Sequence, residues 1–196
     1  VQPVSEFWKR FPKAYQDAVR HFDAGSEYTL HLNKPGATLD VLPPLHPNAR
    51  ILYRTILDLH PASVLEVGCG SGDNLHNLKV LEPELEVYGF DLMQEQIDFA
   101  QLRSPELVGV LRQVDIASPV MPGGTYDLVF THAVVMHLEG RVEAGIENVL
   151  RLAKRHVVMV ENWGSNDALA ILRRQSGWTL RTLSDGQAQA VVMERA

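Results

Sequence analysis

Three glycines and a carboxylate stand at a spacing that can hold a small charged ligand. Gly68, Gly70 and Gly72 fall within Glu66-Val-Gly-Cys-Gly-Ser-Gly72, and Asp91 closes an apolar run nineteen residues after Gly72. Where a strand reverses into a helix beneath a ligand, a Cβ would fill the space the ligand needs, so small residues are required. A dinucleotide fingerprint, G-x-G-x-x-G, would place a glycine at position 73, where a pyrophosphate rests on the helix N-terminus; this chain has Asp73. A carboxylate in the first turn suits the helix dipole but repels a diphosphate. Asp91 can accept two charge-assisted hydrogen bonds from a ribose diol. The pattern predicts a pocket for a nucleoside without phosphate.

To hold these residues the chain needs a strand, a turn, a helix and a second strand. Val64, Leu65 and Val67 supply the first strand, and Leu75, Leu78 and Leu81 one face of the helix, with the second strand ending at Asp91. Downstream the pattern repeats. A helix over 92–103 carries Met93, Ile97 and Ala100 at helical spacing, and a third strand over 108–114 ends at Asp115. After a turn over 119–124 come a fourth strand over 126–131, a helix marked by Val142, Ile146, Val149, Leu150 and Ala153, and a fifth strand over 157–161. A short helix over 167–175 and a hairpin turning at Asp185-Gly186 complete the series. Upstream, 47–59 reads as a helix with Ile51, Leu52, Ile56 and Leu59 inward, stopped by His60-Pro61. Ahead of it, 12–24 reads as a helix bearing an aromatic stripe, and the proline-rich run over 34–47 as a semi-rigid loop, either a lid or a connector.

The glycine motif, the acidic residue closing the next strand, Asp115 after the third strand and Tyr126-Asp-Leu-Val-Phe130 as the fourth together resemble the class I methyltransferases that use S-adenosylmethionine. The resemblance runs from Arg50 to the C-terminus. It implies a Rossmann-like α/β fold: a seven-stranded, mostly parallel sheet with helices on both faces, an antiparallel C-terminal strand and an N-terminal helical cap. It implies S-adenosylmethionine as cofactor, with S-adenosylhomocysteine as product. The residues it assigns to the cofactor are Glu66, Gly68, Cys69, Gly70, Gly72, Asp91, Leu92, Asp115, Ile116 and Thr131. For Asp115 a turn cap is an equal alternative to a contact with the adenine amino group. Since N-terminal helices of the family often cover the cofactor, Tyr28 and His31 are pocket candidates beside plain packing.

Methyl transfer from a sulfonium is an in-line displacement, so the protein must chiefly align acceptor, methyl and sulfur and exclude water. A base matters mainly when the acceptor is a hydroxyl. In open α/β sheets the acceptor arrives beyond the carboxyl ends of the strands, which points to Thr131-His-Ala-Val-Val-Met-His-Leu138. His132 and His137 are the candidate bases, with structural packing the alternative for each. Asn162 and Trp163, past the fifth strand, are further lining candidates. The Asn-Pro-Pro-aromatic motif of the family's amide and nucleobase N-methylating members is missing here. The catechol-type metal ligands are incomplete, with Thr131 and Glu161-Asn162 in their places, so no metal is expected. A looser resemblance to bacterial methyltransferases of sugar and surface-polysaccharide biosynthesis rests on Glu6-Phe-Trp8, Gly72-Asp-Asn-Leu-His-Asn-Leu78 and 126–138. It implies a small-molecule acceptor, sugar-derived or a natural product.

With 196 residues, 45% hydrophobic and 21% charged, the chain suits one globular domain, residues 1–48 forming the cap and 49–196 the core. A net charge of −6 argues against a nucleic-acid partner, and Arg151, Lys154, Arg155, Arg173 and Arg174 read as solvated helix ends. No run reaches membrane length, no leader pattern opens the sequence, and Cys69 is the single cysteine. These features lead us to expect a cytoplasmic protein with no membrane partner. Oligomeric state is not written in the pattern. The alternative to an enzyme is a module that binds the cofactor without turnover and serves a partner; a nicotinamide oxidoreductase is disfavoured by Asp73 and the glycine spacing.

Overall fold

The computed structural model describes residues 46–164 and 167–196. The helix expected over 12–24, Tyr28, His31 and nearly all of the proline-rich run lie outside them. Helix α1 (Pro47–Asp58) starts at Pro47, whose fixed φ suits a first turn, and the His46 imidazole accepts from the Asn48 amide at its N-terminus. Its inward face buries Ile51, Leu52 and Ile56, as the spacing predicts, and also Tyr53.

Then follow β1 (Ser63–Val67), α2 (Asp73–Leu81), β2 (Glu86–Asp91), α3 (Gln94–Arg103) and β3 (Leu111–Gln113). The second half comprises β4 (Tyr126–His132), α4 (Val142–Leu152), β5 (Ala153–Val160), α5 (Ala168–Arg173), β6 (Trp178–Ser184) and β7 (Gln189–Arg195). The strands form one sheet in the order β3-β2-β1-β4-β5-β7-β6. All neighbours pair parallel except β7, which runs antiparallel to both β5 and β6. The order reverses between β1 and β4, and at such a switch point a crevice opens beyond the carboxyl ends of the strands.

Strand alternation sorts the core into two layers. Val64, Leu128, Phe130, Val158 and Val192 face α1, α2 and α3, while Leu65, Val67, Val129, Val157, Met159 and Val191 face α4 and α5. A sheet covered on both sides needs apolar residues at every position, which is why β5 and β7 read as continuous runs. The same alternation puts Glu66 on the α1 and α2 side and Thr131 on the other.

Two boundaries differ from the sequence reading. The third strand, expected over 108–114, is only Leu111–Gln113, because Pro105–Leu107 forms a 3-10 turn and Gly109 takes a positive φ of 83°, leaving Val108 exposed. Ala153 belongs to β5 rather than to the preceding helix: the chain passes from α4 to strand with no linking residue, so its burial continues one apolar pattern into the next.

Candidate functional site

The turn after β1 is held by backbone bonds. The amides of Gly68 and Cys69 both donate to the Phe90 carbonyl, at 2.7 and 3.0 Å, which draws the turn over the end of β2. Gly68, Gly70 and Gly72 all have positive φ, 73°, 50° and 78°, a region costly for residues with a Cβ. Only one of them is open to a ligand. A Cβ on Gly70 would meet nothing within 4 Å, whereas one on Gly68 would lie 2.4 Å from Val134 Cγ2 and one on Gly72 2.6 Å from Leu107 Cδ1. Two of the three are small to admit protein neighbours.

Asp91 stands at the end of β2 beside the open position. Its Oδ2 accepts from the Gly70 amide and its Oδ1 from the Met93 amide, each at 2.8 Å. Burial raises its carboxyl above the ordinary value, against the lowering pull of the Met93, Gly70 and Leu92 amides. Each oxygen keeps a lone pair, so a diol can still be accepted. Glu66 is 1% exposed. Its Oε1 accepts from Asn74 Nδ2 at 2.6 Å, and its Oε2 has no hydrogen-bond partner among the described residues. Burial pushes Glu66 well up, the Asn74 bond opposes that, and Asp73 and Asp91 add to it. An orphaned buried carboxylate oxygen two residues before Gly68 fits the cationic end of an amino-acid ligand, and the open space at Gly70 beside Asp91 fits its nucleoside end.

Asp73 behaves differently from the expectation. It is buried, accepts from Ser71 Oγ and pairs with Arg103 Nη2 at 3.0 Å, so the repulsion of a diphosphate is offset by a cation. Asp115 accepts from the Ala117 amide at 3.0 Å and pairs with Arg141 Nη1 at 2.6 Å, the turn-cap arrangement. Leu92 is half-buried and its carbonyl accepts from Gln113 Nε2, while Ile116 is buried and its carbonyl accepts from Asn148 Nδ2. Cys69 is buried, and burial raises its thiol well above the ordinary value, so it is no nucleophile.

Where the acceptor is expected, β4 ends at His132 and the chain bends through Ala133, whose φ is 57°, into the 3-10 turn Val135–His137. The two histidines therefore occupy a strand end and a turn. Asn74 connects His132 to the cofactor side. Asn77 Nδ2 donates to Tyr53 Oη at 2.9 Å, Tyr53 Oη donates to Asn74 Oδ1 at 2.8 Å, and Asn74 Nδ2 stands 3.4 Å from His132 Nδ1. An amide NH2 only donates, so His132 Nδ1 accepts and Nε2 carries the proton. Burial, aided by His46, lowers the His132 pKa to about 4, which makes the ring neutral and a weak base. His137 is half-buried, and burial lowers its pKa while Glu139 opposes.

Sequence reasoning missed Glu161. Its carboxylate accepts from the Val134 amide, at 3.1 Å to Oε1 and 2.9 Å to Oε2, and from the Val135 amide at 3.0 Å. Burial pushes its pKa up to about 7, with the Thr131 hydroxyl and the two amides pulling down. Thr131 is wholly buried on the α4 side, and its hydroxyl makes no hydrogen bond among the described residues. Asn162 accepts from the Gly164 amide, and Trp163 packs against the α4 layer. Among the described residues no group of three or more His, Cys, Asp or Glu is placed to hold a metal, and no helix is long and apolar enough to cross a membrane.

A family described as a methyltransferase domain matches residues 65–158. The ribosomal RNA small subunit methyltransferase G of Lactococcus lactis subsp. lactis (strain IL1403) is 36% identical over 92 residues, 44% of this chain and 38% of that protein. The chain thus matches well under half the length of that curated relative. Among solved structures, CalS10 with bound SAM, an amino pentose methyltransferase from Micromonospora echinaspora involved in calicheamicin biosynthesis, overlays with a TM-score of 0.65 at 15% identity, covering 95% of this chain and 98% of its own. The magnesium protoporphyrin IX methyltransferase ChlM from Synechocystis PCC 6803, with bound SAM, gives 0.57 at 21% identity, covering 74% and 76%.

The ribosomal RNA relative overturns the exclusion of nucleic acid drawn from net charge. A whole-chain balance does not report local surface, and Arg151, Lys154, Arg155, Arg173 and Arg174 are all exposed. The matched region, the 3-2-1-4-5-7-6 sheet and the glycine turn with its carboxylate point the same way. Residues 65–158 thus match a methyltransferase domain, and the chain shares its fold with methyltransferase structures solved with bound SAM.

Proposed function

We propose that the chain, acting as one domain, transfers a methyl group from S-adenosylmethionine to a small-molecule acceptor that is sugar-derived or a related natural product. The observation that carries the cofactor half is the open space at Gly70 beside the Asp91 carboxylate. The cofactor supplies a methyl on a positively charged sulfur, and the residues of the chain do the rest. Asp91 accepts from the ribose hydroxyls, Glu66 Oε2 takes the ammonium end, and the Gly70 backbone lets the nucleoside come close. His132, with its Nε2 protonated, offers a donor to the acceptor, and His137 is the remaining candidate base. Alignment and exclusion of water are the main contributions such a site makes.

The acceptor half is supported by the overlay with CalS10, an amino pentose methyltransferase, over nearly the whole of both chains. A second reading, an RNA acceptor, is favoured by the 36% identical ribosomal RNA methyltransferase. The test is calorimetry with S-adenosylhomocysteine, followed by transfer of labelled methyl to amino-sugar nucleotides and to ribosomal RNA. Asp91→Ala is expected to weaken binding by roughly 1.5–3 kcal/mol, about 10- to 150-fold in Kd, as charged hydrogen bonds are lost. Unchanged affinity removes Asp91 from the ribose. Label on RNA alone replaces the small-molecule reading, and binding without transfer to any acceptor leaves a cofactor-binding module.

A further inference from the structure

We propose that Glu161 is the positioning residue of the acceptor side: its ionised carboxylate clamps the loop after β4 in place over the glycine turn, and so governs methyl transfer without touching the cofactor. The proposal deepens the methyltransferase reading and rests on it for the transfer step.

The geometry is a chain of contacts across the crevice. Glu161, directly after β5, receives the amides of Val134 and Val135, twenty-seven and twenty-six residues away in sequence. Those amides begin the 3-10 turn that ends at His137, and first-turn amides have no partner within the turn itself. The bend that presents them is strained, since Ala133 sits at a φ of 57°. Val134 in turn lies against Gly68, so close that a single methyl there would overlap it. One carboxylate thus sets both the height of the loop above the turn and the place of His137.

The clamp also depends on charge. A carboxylate accepts on both oxygens, whereas a protonated acid gives one of them up as a donor, facing amides that can only donate. The groups facing Glu161 are the Thr131 hydroxyl from β4 and the Val134 and Val135 amides from the loop. The loop's histidines, His132 and His137, are both lowered from their ordinary value, and Glu139 acts on His137. The His132 titration, at about 4, stands apart from the window near pH 7 in which Glu161 changes charge.

The experiment follows the Val134 and Val135 amide signals by NMR from pH 5.5 to 8.5 in the full chain, in wild type and in Glu161→Gln, together with S-adenosylhomocysteine binding and methyl transfer. We expect both amides to titrate near pH 7 in wild type and to stay flat in the variant. The variant should bind S-adenosylhomocysteine as wild type does and transfer methyl at least 10-fold more slowly, with its rate no longer rising through pH 7. Glu161→Asp, one methylene short, should show the same loss of rate, and thermal melts of both variants identify any general unfolding. Amides that ignore pH in wild type, or titrate equally in the variant, overturn the clamp. Amides that behave as expected beside an undiminished rate overturn its role in transfer. If wild type binds cofactor and methylates nothing, the methyltransferase reading fails, and the amide titration still decides the clamp.

Discussion

The two sides of the crevice are built by different means. On the cofactor side, from β1 to the end of β2, the decisive bonds are given by the backbone amides of the glycine turn, Gly68 and Cys69 to the Phe90 carbonyl and Gly70 to the Asp91 carboxylate. On the expected acceptor side they depend on side chains brought in from other elements, the Glu161 carboxylate from the end of β5 to the Val134 amide and the Asn74 amide from α2 to His132. Backbone constraints demand particular residue types at fixed spacing, whereas a long-range side-chain partner can come from any element the fold brings near. One side therefore leaves a signature in the sequence and the other does not.

The sharpest way to break this contrast is at the point where the two sides touch. Gly68→Ala places a Cβ where Val134 stands and asks a residue with a side chain to hold a φ of 73°. The left-handed backbone costs roughly 1–2 kcal/mol, and overpacking adds about 1–3 kcal/mol. We expect the largest loss of stability among the substitutions considered, together with weaker cofactor binding, both read from thermal melts with and without S-adenosylhomocysteine. Adding Val134→Ala should restore the packing part and leave the backbone part. No restoration in the double variant would mean that Val134 does not roof the turn.

What could be read in the sequence follows the same division. Periodicity located every strand and helix of the described core, because a sheet covered on both faces needs apolar runs and each helix one apolar stripe. It overran β3 by four residues, since Val108 and Val110 continue the apolar pattern through what is a turn at Gly109. It placed Asp91 at the crevice through the glycine spacing, but gave the wrong physical reason for Gly68 and Gly72, whose space is taken by Val134 and Leu107 rather than by a ligand. Glu161 was visible only as half of an incomplete metal pair. Tyr53 was passed over because a tyrosine in an amphipathic helix carries no sign that its hydroxyl will meet Asn74 and Asn77.

A more moderate effect is expected at His132, where the long-range network can be probed by pH. Its folded pKa, about 4, lies below its ordinary 6.5, so the fold prefers the neutral ring. The sign follows: the stabilisation is complete above pH 6.5 and is lost as the pH falls through the window toward 4. Urea unfolding should show a decline in stability over that range that is smaller in His132→Gln. Nitrogen NMR of the wild-type ring should show a protonated Nε2 and a bare Nδ1 at pH 7. A ring that titrates near 6.5, or carries its proton on Nδ1, would break the link through Asn74.

The smallest effect should come from Asp115, where the comparison is sharpened because one carboxylate has two claimants. Arg141 holds Oδ2 from a half-exposed position, and the Ala117 amide holds Oδ1. Exposed pairs of this kind contribute about 0–1 kcal/mol, so Arg141→Ala should lower the melting temperature only slightly. Its effect on S-adenosylhomocysteine affinity is the informative quantity. If Asp115 receives the adenine amino group, removing Arg141 frees an oxygen for it and binding tightens or holds, while Asp115→Asn weakens binding by exchanging an acceptor for a donor. If Asp115 is only a turn cap, neither substitution moves the affinity, and the cofactor side owes its grip to Asp91 and the glycine turn alone.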